Sequence, residues 1–119
     1  MTILHITSRT EWLSAQKRGR FTAASLLTEG FIHCSTAGQV VPVADAFYRG
    51  QSGLVLLVIE ESLLEPELRW EPPAGAPAEG ISPSDLFPHI YGPVNVEAVV
   101  KALDFPPGSG GRFTLPEMS

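Results

Sequence analysis

At 119 residues and 12.8 kDa the chain has room for one hydrophobic core, which excludes a multidomain protein. Hydrophobic residues make up 44% and charged residues 18%, too apolar for a disordered chain. Eight Lys and Arg against 13 Asp and Glu leave a net charge of −5. That balance argues against nucleic acid, whose binding draws on clustered cations. The only local basic group is Arg9 with Lys17, Arg18 and Arg20. The longest apolar run, residues 54–59, falls far short of the roughly 20 residues of a membrane span. The opening Met-Thr-Ile-Leu-His lacks the regions of a signal peptide, and the single Cys34 excludes an internal disulfide. A cytoplasmic protein is expected.

In chain order, residues 3–6 read as a short apolar strand carrying His5. Ser8 or Thr10 caps a helix that Gly19 ends, and residues 23–27 form a helical turn closed by Glu29-Gly30. Residues 31–35 read as a strand. Thr36 and Gln39 have capping-box spacing before a helix that runs to Gly50. Pro42 complicates its start, so the main helix is expected to begin near that proline.

Residues 54–59 are a strand apolar on both faces, and residues 68–71 a partner strand. Residues 72–84, rich in Pro, Ala, Gly and Ser, read as a mobile loop of the kind that covers a site. Residues 87–93 read as an irregular, proline-bracketed segment. Asn95 caps a short turn, residues 99–105 form a strand, and residues 112–115 an edge strand. One domain over 1–119 is expected, with its core over about residues 3–116. The order argues an α+β fold, with a split or curved, mostly antiparallel sheet and two to three short helices.

The chemistry centres on three histidines. His5 sits in the opening strand, His33 directly before Cys34-Ser35-Thr36, and His89 beside Tyr91. Each alone is explained by a backbone carbonyl partner; the three together, each beside polar side chains at a strand end, point to a cleft. Ser35 and Thr36 suit a helix cap, and the same geometry offers free N–H groups to a phosphate or ribose hydroxyl. Cys34 alternates with His33 and Ser35 and is expected to face the core as an inert thiol. Glu71 is either a solvated edge residue, a sugar-hydroxyl acceptor or a base. Three histidines also match the ligand count of catalytic zinc sites, but no His-x-x-x-His spacing occurs and no metal is expected. Phosphate-loop, dinucleotide, nucleophile-elbow and Cys-x-x-Cys motifs are absent.

Four sets of residues carry a resemblance: His5; Glu29-Gly30-Phe31-Ile32-His33-Cys34-Ser35-Thr36 with Gln39; Trp70-Glu71-Pro72; and Phe87-Pro88-His89-Ile90-Tyr91-Gly92-Pro93. Over nearly the whole chain they resemble the bacterial domain of unknown function 952 family. That resemblance implies a distant relative of the ADP-ribosyltransferase fold, with NAD or a related nucleotide as ligand. It further implies transfer or hydrolysis of the ADP-ribosyl group. His5 would match the first motif position, and His33 with Ser35 and Thr36 the second. The third is open between His89 with Tyr91 and Glu71. His33, His89 and Glu71 are then the catalytic candidates, and His5, Ser35, Thr36 and Tyr91 the nucleotide-binding ones. If histidine cations grip phosphate, binding should strengthen from about pH 8 to about pH 6. The alternatives are a non-catalytic nucleotide- or small-ligand-binding module and a three-histidine metal-dependent hydrolase.

Overall fold

The computed structural model describes residues 1–75 and 78–118. Residues 76 and 77, within the loop expected over 72–84, lie outside the described residues. Among the described residues, eight strands and three α-helices follow one another: β1 (Thr2–Ser8), α1 (Arg9–Arg18), β2 (Arg20–Phe21), α2 (Ala24–Thr28), β3 (Ile32–His33) and α3 (Val40–Phe47). They continue as β4 (Leu54–Glu60), β5 (Glu67–Glu71), β6 (Phe87–Tyr91), β7 (Val94–Asn95) and β8 (Val99–Asp104). All strand pairs are antiparallel: β1-β4-β8 form one sheet, β3-β6-β5 a second, and β2 pairs with β7. The α+β class holds, and the sheet is split. Its two halves meet at one bridge, where Leu4 and Ser35 exchange both backbone hydrogen bonds at 2.8 Å.

The first sheet is buried on both faces, which is why β4 reads as a continuous apolar run. Ile3, Val55, Leu57 and Ile59 face one cluster with Trp12, Phe21, Ile32 and Ile90. Leu4, Ile6, Leu54, Leu56 and Val58 face the other with Val40, Ala44, Phe105 and Phe113. Strand alternation therefore sends His5 to the side of Ile3, where its ring meets Phe21 edge-on at 5.2 Å.

Local chemistry sets the helix ends. The Ser8 hydroxyl accepts from the Glu11 N–H at 3.1 Å, and Gly19, with φ 80°, returns its N–H to the Ala15 carbonyl. Helix α3 starts at Val40, two residues before the proline expected to open it. Pro42 sits in the first turn, where its missing N–H has no helical partner to lose. The capping box forms only in half: Gln39 Oε1 accepts from the Thr36 N–H at 3.0 Å, and no side chain caps the helix.

Three expectations are corrected. Residues 87–91 are a regular strand at the centre of the second sheet. Pro88 is accommodated because its carbonyl faces the Cys34 N–H, so its missing N–H falls where β3 has already ended. Asn95 does not cap the turn at Val96–Ala98; its side chain accepts from the Glu65 N–H at 3.0 Å and donates to the Leu63 carbonyl at 2.9 Å. Residues 112–115 form no strand. The Phe113 N–H is taken by the Asp45 carboxylate at 2.8 Å, and its ring stacks on Phe105 at 4.7 Å.

Gly111 holds this tail in place. Its φ is 77°, the Gly50 N–H donates to its carbonyl at 2.9 Å, and an added Cβ would lie 2.9 Å from that same nitrogen. Gly111→Ala should therefore lower stability by about 1–3 kcal/mol, measured by urea unfolding. An unchanged midpoint would show that the tail does not need this contact.

Candidate functional site

Between the two sheets lies a cleft of about 630 Å³, within the usual size of small-molecule sites. His5, His33, Ser35 and His89 line it, with α1 contributing Glu11 and α3 contributing Val43 and Phe47. Pro73, Ala74, Ala78 and Ile81, from the loop expected over a site, line it as well.

His33 and His89 sit directly opposite each other across β3 and β6, so both rings leave the same face, with centroids 5.6 Å apart. The His89 ring is 3% exposed. Its Nδ1–H donates to Glu71 Oε1 at 2.8 Å, and the Tyr91 hydroxyl donates to the same oxygen at 2.5 Å. Those two donors, Tyr91 first and His89 second, hold the Glu71 carboxyl below the usual carboxylate range. The carboxylate in turn raises the Tyr91 phenol, keeping it a donor. Phe31 stacks on His89 at 4.2 Å and an interplanar angle of 21°, fixing the ring plane. Among the described residues nothing bonds His89 Nε2, and no fully buried side-chain nitrogen or oxygen lacks a partner. Nε2 therefore opens to the cleft.

His5 is arranged in the same sense. Its Nδ1–H donates to the His33 carbonyl at 2.5 Å. Burial pushes its pKa down to about 4, partly offset by that hydrogen bond and reinforced by His33. The ring is neutral at pH 7, so Nε2 carries a lone pair, and among the described residues it has no partner. It too faces the cleft. His33 is the more exposed of the three and pairs with Glu29 at 3.0 Å, four residues before it.

The remaining candidates divide between the cleft and its surroundings. Ser35 is buried at the bridge between the sheets and lines the cleft. Thr36 lies just beyond it, and among the described residues its hydroxyl makes no hydrogen bond. Glu71 and Tyr91 stand behind His89, away from the cleft wall. Arg69 covers the Tyr91 ring at 4.4 Å and pairs with Glu67 at 2.8 Å. Cys34 is buried in the core, and burial drives its thiol pKa upward, so it is inert. Of the aromatic rings nearby, Trp12 is core, whereas Phe87 reaches the cleft.

The first turn of α3 is not on the cleft; the helix presents Val43, Phe47 and the neighbouring Tyr48, its flank and C-terminal end. His5 stays neutral across the range in which phosphate-gripping imidazolium was expected. Among the described residues no three His, Cys, Asp or Glu side chains are placed to hold a metal ion. No helix among them is long and apolar enough to cross a membrane.

Phe31 and Glu29 did not stand out as site residues from composition alone. Their signals are the aromatic two positions before His33 and the i, i+4 spacing of Glu29 to His33.

Residues 6–102 match the model of the protein of unknown function family DUF952, and the chain belongs to that family. The solved structures it resembles include protein CC0527 from Caulobacter crescentus. Its crystal structure is 36% identical, with a TM-score of 0.82, covering 97% of this chain and 95% of that one. A double mutant of the same protein gives 35% identity and a TM-score of 0.82 at the same coverage. The solution NMR structure gives 37% identity and a TM-score of 0.76, covering 93% and 90%. No functionally curated protein matches the chain.

Proposed function

We propose that the cleft binds NAD or a related nucleotide by its nicotinamide–ribose end and hydrolyses or transfers the ADP-ribosyl group. The observation that supports this most is the Glu71–His89 pair: a carboxylate orients a buried imidazole so that its free nitrogen meets the cleft. In hydrolysis the N-glycosidic bond breaks and its electron pair leaves with nicotinamide. The oxygen of water bonds to the anomeric carbon, and the water proton passes to His89 Nε2. Glu71 stabilises the resulting imidazolium, as an orienting carboxylate does in other base pairs of this type. In transfer, an acceptor hydroxyl or amine takes the place of that water. His5 Nε2 accepts from a ribose hydroxyl, Ser35 lies beside it, and His33 flanks the nicotinamide. Tyr91 holds Glu71. Thr36 would reach the ligand only by way of the segment beyond Ser35.

A second reading has its own support. Glu71 meets the cleft only through His89, so no carboxylate behind the base touches the ribose, which favours a nucleotide-binding module without turnover. Nicotinamide release from NAD, followed chromatographically alongside calorimetric binding, separates the two. Release that saturates with NAD and vanishes in His89→Asn is expected for the enzyme. Saturable binding without release would establish the module. Neither binding nor release would overturn both.

A further inference from the structure

The charges around the cleft narrow what it can hold. Among the described residues no lysine or arginine lines it, while Glu11 and Glu29 do. Five of the six arginines are engaged elsewhere: Arg9 pairs with Asp104, Arg20 with Glu65 and Arg69 with Glu67, while Arg18 donates to the Ser14 hydroxyl and Arg49 to the Gly110 carbonyl. The two eight-residue or longer helices at the cleft offer an anion nothing further. The first turn of α1 reaches it, but Ser8 already accepts from the Glu11 N–H and the Glu11 carboxylate complements the helix dipole. Helix α3 turns its C-terminal end, the negative end of its dipole, toward the same space.

The deep wall repeats the pattern. His5 is 8% exposed, its Nδ1–H is spent on the His33 carbonyl, and its free Nε2 is an acceptor. A neutral imidazole held this way meets a hydroxyl or N–H donor; an anion there would face a lone pair. A phosphate or carboxylate brought into the cleft would lose its water and gain no cation.

We infer that the cleft selects phosphate-free ligands, neutral or cationic and bearing hydroxyl or N–H donors, and that Glu11 and Glu29 set this preference. This rests on the nicotinamide–ribose part of the reading above and departs from its ADP-ribosyl part: a pyridinium riboside is favoured over its phosphorylated and dinucleotide forms, and the group released from nicotinamide is then a plain ribosyl group. Glu11 and Glu29 would hold the cationic ring, and Nε2 of His5 a ribose hydroxyl.

Calorimetry with nicotinamide riboside, nicotinamide mononucleotide and NAD tests it, each at about 0.02 M and about 0.3 M salt. The riboside should bind about tenfold tighter than the mononucleotide at low salt, with the gap narrowing at high salt as screening grows. Glu11→Gln should shrink the low-salt gap by raising mononucleotide affinity and lowering riboside affinity. Equal or tighter binding of the mononucleotide or NAD would overturn the inference and leave the nucleotide reading standing. Binding of none of the three would remove both. Because the salt series uses the unaltered protein, it decides the question even if the variant fails to fold.

Discussion

His89→Asn should lower the rate of nicotinamide release from NAD by about 10²–10⁴-fold, the usual contribution of a positioned general base. The substitution is chosen for its geometry. An asparagine amide can still donate to Glu71 from near the position of Nδ1, so the carboxylate partner is kept while the nitrogen facing the cleft is lost. Binding of the ligand should change far less than turnover, because His89 acts on the attacking water. Glu71→Gln should give a smaller loss, since the amide oxygen still accepts from His89 and Tyr91 but no longer stabilises an imidazolium. Unchanged release in His89→Asn would remove the base from the mechanism. A fall in rate matched by an equal loss of folded protein would make His89 a structural residue.

The second large effect is on stability against pH, and it comes from His5. In the unfolded chain its imidazole titrates near 6.5, and in the folded protein near 4. Above pH 6.5 neither state binds the proton, and His5 adds no pH dependence. As pH falls below 6.5 the unfolded chain takes up a proton that the folded protein refuses, so stability is lost progressively until about pH 4. Comparing wild type with His5→Asn isolates this from the carboxylates, which titrate in both. Between about pH 7.5 and about pH 4.5 the stability of wild type relative to the variant should fall by about 2–3 kcal/mol. A difference that stays constant over that range would mean that His5 is not held neutral in the fold.

Much of this architecture was legible in the residues. The run over residues 54–59 announced a strand buried on both faces, and the alternation of His33, Cys34 and Ser35 put the thiol in the core. The caps at Ser8 and Gly19 were readable from residue chemistry. Strand β6 was not, because two prolines around its histidine obscure a strand whose hydrogen bonds happen to avoid the missing N–H. The two-residue strands β2 and β7 are too short to carry any periodicity. The partnership of Glu71 with His89 depends on cross-strand register, which places Arg69 opposite His89 and brings Glu71 close enough to bond it. No spacing along the chain encodes that register. For the same reason Glu71 and His89, competing readings of one motif position, are joined by a hydrogen bond.

The cleft account is tested most directly by the imidazole nitrogens themselves. In ¹⁵N-labelled protein, the Nε2 resonances of His5 and His89 should shift together on titration with nicotinamide riboside or NAD. Their Nδ1 signals, held by the His33 carbonyl and by Glu71, should stay nearly in place. Nε2 signals that do not move at saturating concentrations of either compound would contradict it.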